Sequence, residues 1–462
     1  MAATKPQRLS GRHRRGFSRS SGSGEPGGPG EPDGAAPPKG SDEAESEAGR
    51  RVTYGEVIAI PEFRALWYAQ GLSLLGDQFA QVALAVLVYN RTQSALATAA
   101  VYALTYLPPI LGGPLLAGLA DRYARRAVMI WCDVMRAVLV ALMAVPGMPF
   151  WALCGLVFCV VLLGAPFSAA RAALLPEVLE DDRYVAGSAL QNMTNQAVQM
   201  LGFAAGGAVI AGIGPYRALA LDAATFLASA LFLISGVRRR PGAARDASGG
   251  ESMLATAVAG ARLVFGERRL RTLVLFAWLC GFYILPEGIA VPYAATLAAD
   301  PAKLPMVTGL LMAAMPAGTV LGAFWFGRFV QPATRLRVMG WLAMLTCAPL
   351  IVCALRPSLW VVLGLWVLSG VGGAYQLAAN AAFVQSVPAE RRGQAFGLVQ
   401  SGLLAVQGLG ILVGGFAAQQ LGPELVVALA GVAGLATAAV LTVLWAEPRA
   451  EAVPRVRSGS TT

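Results

Sequence analysis

"SLLGDQFAQVALAVLVY", residues 73–89, is an almost unbroken apolar run with one carboxylate, Asp77, set inside it. Similar runs recur along the chain, and many reach the ~20 residues that cross the hydrocarbon core of a bilayer as a helix. Of the 462 residues, 56% are hydrophobic and 13% charged, where an ordinary soluble domain carries about 25% charged residues. The apolar residues come in long blocks, not in short alternating strands. That pattern predicts an all-α membrane protein and not a closed barrel.

Working outward from that run, spans are expected at about 64–89, 95–119, 127–145, 150–172, 186–212, 216–236, 271–297, 305–326, 337–355, 358–383, 393–418 and 424–446. The longest polar gap is "VRRRPGAARDASGGESMLATAVAGARLVFGERRL", residues 237–270, and it divides the twelve into two sets of six. The expected organisation is a tail over 1–52, a six-helix bundle over 53–237, a linker over 238–270, a second bundle over 271–446 and a tail over 447–462. The first tail is rich in Gly, Pro, Ser, Arg and Glu and is read as disordered. It has no apolar h-region, so no cleaved signal peptide is expected.

Sidedness follows from charge. The loops on one side carry only Arg91, Arg217, Lys303 and Arg356, Arg136 lies within the third span, and all other lysines and arginines fall on the opposite side with both termini. This bias places both termini in the cytoplasm, in the cell inner (plasma) membrane. The net charge of +10 therefore reflects topology and contact with membrane lipid, and a nucleic-acid partner is excluded.

The two halves resemble each other. "GAPFSAARAALLPEVLEDDRYVAGSALQ" (164–191) aligns with "GAYQLAANAAFVQSVPAERRGQAFGLVQ" (373–400), and the same shift lays Gly118 on Gly327. A shift one residue longer places Asp77 on Glu287. Parallel repeats of this kind build two halves around a central site.

Cys132, Cys154, Cys159, Cys280, Cys347 and Cys353 all lie in expected spans without metal-site spacing, and read as apolar packing residues. The only histidine, His13, is in the first tail, which excludes a histidine proton relay or a histidine-bound metal in the membrane. No catalytic constellation and no GxxxxGK[ST] loop is present, so neither an enzyme, a cofactor nor ATP-driven action is expected.

Polar residues within the spans are the site candidates. Gln70, Ser73, Asp77 and Gln81 recur at three- and four-residue spacing and share one helix face. Asp77 is about 13 residues into its span, near the midplane at ~1.5 Å per residue. A charge there costs about 2.5–3.5 kcal/mol on insertion scales. It reads either as a proton- or substrate-binding acid or as a permanently neutral acid hydrogen-bonded to another helix. Glu287, in "YILPEGIAVPY" (283–293), sits where Pro286, Gly288 and Pro292 should interrupt the seventh span; it reads as a site residue or as a solvated end residue. Ser188, Asn192, Asn195, Gln199, Gly202 and Gly206 form one face of the fifth span, with amides for a ligand and glycines for close helix approach. Asp133 and Arg136 are three residues apart and read as a structural ion pair allied to the loop before them, or as part of a proton path. The role of Asp222, in the sixth span, is open.

That loop, "AGLADRYARRAV" (117–128), resembles the signature loop of the major facilitator superfamily, Gly-x-Leu-Ala-Asp-Arg-x-Gly-Arg-Lys. Leu119, Ala120, Asp121, Arg122, Arg125 and Arg126 match; Ala117 and Ala124 stand where the pattern has glycine. The resemblance covers about 53–446, and "GDQFAQVALAVLVYNRTQSA" and "VPAERRGQAFGL" are similar to the twelve-span efflux branch that includes macrolide and siderophore exporters. It implies two six-helix bundles and a conformational latch made by Asp121, Arg122 and Arg126 with their neighbours. In the second half Val330 stands opposite Asp121, so the latch is one-sided. The resemblance also implies export of a small amphipathic compound by proton antiport, from a monomer. Uptake by a permease or uniporter of the same fold is the alternative. One family feature is missing: the interior of the fourth span, 150–170, has no arginine, and Arg171 comes only at its end.

Overall fold

In a computed structural model, residues 53–110, 112, 123–240, 253–388 and 391–452 are described, and helices joined by short turns account for them, with no strand among the described residues. The main helices are α1 (Pro61–Thr92), α2 (Ala95–Ala103), α3 (Arg125–Met143), α4 (Phe150–Val178), α5 (Asp181–Ile213) and α6 (Pro215–Gly236). The second half contributes α7 (Arg268–Trp278), α8 (Leu304–Phe329), α9 (Pro332–Ile351), α10 (Leu359–Gly372), α11 (Arg392–Leu421) and α12 (Pro423–Ala452). Among the described residues ten helical segments are long and apolar enough to cross a membrane. The 19-residue α3 matches them in length but carries Arg125, Arg126, Asp133 and Arg136.

Several helices outrun the expected spans, because the hydrogen-bond ladder continues where apolarity stops. α1 has 32 residues and α5 has 33. Two spans are broken. The second turns at 104–106 before helix resumes at 107, since Pro108 and Pro109 lack the N–H groups that would bond the carbonyls of Leu104 and Thr105. The seventh breaks after Trp278 into Cys280–Tyr283, Leu285–Gly288 and Ala290–Leu297, around Pro286 and Pro292. The linker is not featureless: it holds a helix over Met253–Gly266.

Corresponding turns recur in the two halves. Gly214 and Gly422 take φ of 82° and 85°, a conformation that glycine adopts without strain, and each hands the chain to a proline at the first position of α6 or α12. Trp151 and Trp360, the second residues of α4 and α10, are 77% and 76% exposed, so matching indoles face outward from both halves. Trp131 and Trp341 are also exposed, on α3 and α9.

The core forks. At the end of the bundle with the 214 and 422 turns, one continuous cluster includes Val82, Tyr102, Phe203, Tyr293, Leu311 and Ile411, drawn from both halves. Toward the other end it divides. Leu66, Met129, Phe167 and Leu233 form a cluster within the first half, and Leu273, Phe326, Tyr375 and Trp445 form one within the second. Where the core is shared, backbones nearly touch: a Cβ added at Gly207 of α5 would stand 2.8 Å from Gly309 Cα of α8. Beside α2, Ser94 Oγ donates to Gln419 Oε1 of α11 at 3.0 Å, and the same oxygen accepts from Ala95 N at 2.8 Å.

Candidate functional site

A cavity of about 690 Å³ is walled mainly by the first half. Gln70, Ser73, Asp77 and Gln81 all line it from α1, as a single face at helical spacing must. α5 adds Gln199, and the second half adds Gln400 and Leu404 from α11. Apolar wall comes from Leu74, Leu84, Val140 and Val157. The lining therefore offers amides and hydroxyls on an apolar ground, which suits an amphipathic ligand.

Asp77 is not a lone acid. Arg136 Nη2 donates to both of its carboxylate oxygens, at 2.9 and 3.0 Å, and Arg136 Nη1 donates to Ser73 Oγ at 3.3 Å. The guanidinium also lies over the Phe226 ring, 4.1 Å from its centroid. The expected ion pair with Asp133 is present, but it is the longer of two. Asp133 is 3.9 Å from Arg136 Nη1, and its nearer partner is Ser229, whose Oγ donates to Oδ2 at 2.5 Å. Asp133 shares the α3 face with Arg136, but the guanidinium is turned toward α1, where Asp77 presents both oxygens.

Other predicted residues are scattered more widely. Asn195 accepts from Gln70 Nε2 at 3.0 Å, whereas Asn192 is exposed. The fifth-span glycines serve different neighbours: Gly202 and Gly206 rest on Gln78 and Phe79 of α1, and Gly207 on α8. Glu287 is buried, which removes the reading as a solvated end residue. It lies behind the cavity wall, where Tyr102 Oη donates to its Oε2 at 3.1 Å; Tyr102 itself lines the cavity, so the pair joins the two halves.

Asp121 and Arg122 lie outside the described residues. Arg126 donates to the carbonyls of Leu233 and Ile234, at 3.2 and 2.6 Å, closing the end of α6 and not an acidic partner. Beside it Arg125 pairs with Glu177, and Arg240 with Glu62; Arg240 is also 3.8 Å from Glu177. Hydrogen bonding to the Glu62 carboxylate, which accepts from the guanidinium, makes Arg240 hold its proton more tightly than usual. This cluster ties α1, α3 and α4 to the segment after α6, all within the first half.

Three cavity groups were missed or left open by sequence reasoning. Arg171, about two turns before the end of α4, reaches to Gln70 and to Gln191, the latter at 3.0 Å. Tyr106 is carried into the lining by the break in the second span. Asp222 also lines the cavity, 1% exposed, with Oδ2 lacking any hydrogen-bond partner. A charged residue within an apolar span was the available signal for Arg171 and Asp222. In the second half Gln376 donates to Tyr283, whose hydroxyl is 3.3 Å from that of Tyr375.

Among solved structures, the nucleoside transporter NupG superposes with a TM-score of 0.63 at 14% identity, over 82% of this chain and 99% of that one. A POT family transporter in complex with 5-aminolevulinic acid gives 0.65 at 13%, over 83% and 96%. A bacterial homolog of the human lysosomal transporter Spinster, inward-facing and occupied, gives 0.62 at 15%, over 84% and 96%. These likenesses concern the fold. No curated protein sequence matches the chain. Residues 57–459 match the family described as transmembrane secretion effector. The chain belongs to that family, and it is a multi-pass membrane transporter of the major facilitator type.

Proposed function

We propose that the protein is a twelve-span exporter of small amphipathic compounds, driven by proton entry and working by alternating access in the plasma membrane. The observation that carries this reading is the cavity of the first half, bordered by α11 of the second, where amides and an ion network share the wall with apolar side chains. The family's description as a secretion effector supports export. The lysine and arginine bias supports cytoplasmic termini and, with them, a forked end of the core on the cytoplasmic side. In that orientation the cavity faces the compartment from which an exporter collects its cargo. The ten apolar helices, together with α3 and the helix opening at Ala95, support twelve crossings.

Within this reading Gln70, Ser73, Gln81 and Gln199 contact the compound, with Asn195 and Asn192 behind or beside them. The Asp77–Arg136 pair fixes the charge of the wall. The Tyr102–Glu287 bond breaks when the halves part at the far end, and the loop bearing Asp121, Arg122 and Arg126 steadies the first half through the cycle. The protein acts as a monomer, with membrane lipid as its surroundings.

The test compares cells lacking the protein with cells overproducing it, across chemically diverse amphipathic toxic compounds. Overproduction is expected to lower intracellular accumulation of at least one compound severalfold, and a protonophore to restore it. Raised accumulation on overproduction would replace export by uptake, the alternative on this fold.

A further inference from the structure

Helices α1, α3 and α6 bring three carboxyl groups, Asp77, Asp133 and Asp222, to one guanidinium, Arg136. Their shares are unequal. Asp77 takes two hydrogen bonds from Arg136. Asp133 has the Ser229 hydroxyl at 2.5 Å and the guanidinium at 3.9 Å. Asp222 has only Thr225 Oγ1, 3.2 Å from its Oδ1, and that hydroxyl lies closer to the Asp222 carbonyl, at 2.7 Å. One hydroxyl proton cannot serve both acceptors fully, and Asp222 Oδ2 has no partner at all.

The site is built for this carboxyl. A methyl group at Gly76 would overlap Asp222 Oδ1 and Thr225 Oγ1, so the glycine next to Asp77 is what admits the side chain against α1. Asp222 is buried, yet it borders the cavity, whereas Asp133 lies behind it. The charged groups facing it are Asp77 from α1 and Arg136 from α3; α5 presents the neutral Gln199 to the same cavity. One guanidinium offsets one of three negative charges, and Asp77 already holds it. An ionised carboxylate left without a cation or full hydrogen bonding in such a place is strongly disfavoured.

We propose that Asp222, and not Asp77, is the proton-binding residue of the transport cycle. A proton from cavity water adds to Oδ2 of the carboxylate, giving the neutral acid while the cavity faces one side. It leaves from the same oxygen when the cavity faces the other. Asp77 and Arg136 stay paired and keep the guanidinium from claiming Asp222. This assignment rests on the proton-driven reading above.

The test uses the purified full chain in lipid nanodiscs and infrared difference spectra between acid and alkaline buffer, with the proton itself as ligand. The wild type is expected to show the carbonyl stretch of a protonated carboxyl that disappears on alkalinisation. Asp222→Asn should remove that component and Asp133→Asn should retain it, while Asp77→Asn, which frees Arg136 for Asp222, should move its disappearance to lower pH. Thr225→Val should keep the component and move its frequency, because a hydrogen bond to the carboxyl is lost. A component that survives Asp222→Asn, or one that persists unchanged across the whole pH range, overturns the proposal. If Asp222→Asn does not fold, Asp222→Glu supplies the comparison: a component unmoved in frequency and midpoint overturns the assignment, and a moved one supports it. No transported compound enters this measurement, so its failure is separate from a failure of export in cells.

Discussion

Arg136 shows how much of a site lies in partnership and how little in residue type. As one of the few basic residues inside a span it stands out in the chain, as does Asp77, and their isolation in apolar sequence is legible. Their pairing is not, because it depends on how α1 and α3 are turned against each other. The visible spacing instead offered Asp133, three residues from Arg136, which is the more distant partner at 3.9 Å. Arg171 was likewise read as a helix-end residue, since nothing in sequence reveals that its long side chain turns inward to Gln70. A double-mutant cycle with Asp77→Asn and Arg136→Gln should give a coupling energy of about 1–3 kcal/mol, read from thermal unfolding in detergent. Arg136→Gln alone should destabilise more than the double variant, because it leaves Asp77 without its cation. Additive losses would show that the pair contributes only as two separate polar groups.

At the scale of the element, existence was legible and ends were not. Apolar blocks mark where hydrocarbon lies, while α1 and α5 continue past it on backbone hydrogen bonds that composition does not register. The interruption of the seventh span could be read from Pro286 and Pro292. The break in the second follows from Pro108 and Pro109 by the same physics, although the span was expected to run unbroken. Glycines gave a partial reading: a face for close approach was visible, but Gly206 and Gly207 serve two different neighbours although they are adjacent. Gly309→Leu should cost about 1–3 kcal/mol in the described conformation by forcing α5 from α8. The expected readout is greater labelling of cysteines placed along the cavity by impermeant reagents from the side bearing the 214 and 422 turns. Unchanged labelling would show that the crossing of α5 and α8 does not control closure. Arg126→Ala should remove about 0.5–1.5 kcal/mol by stripping donors from the last carbonyls of α6, with Arg126→Lys intermediate, both by thermal unfolding. Equal stability of all three would leave those carbonyls satisfied by water.

For the whole molecule, the 237–270 gap and the internal resemblance suggest two halves, whereas the fork in the core is not legible in sequence, since it belongs to one conformation. The shared cluster closes one end and the divided clusters leave the other apart. Cysteines replacing Ser94 and Gln419, joined by a short reducible cross-linker, should therefore hold the described conformation. Transport should fall by at least tenfold and return on reduction. Full transport while cross-linked would mean that the halves need not separate there. The outward indoles of Trp151 and Trp360 bear on the same rocking motion. Indoles settle at the headgroup boundary, so each half has an anchor at a corresponding depth. When one half tilts against the other, these anchors must move relative to the lipid or drag it along, at a cost of fractions of a kcal/mol per Å of mismatch. Under the proposed alternating access, acyl-chain length should therefore alter turnover, favouring whichever tilt brings both indoles level with the headgroups.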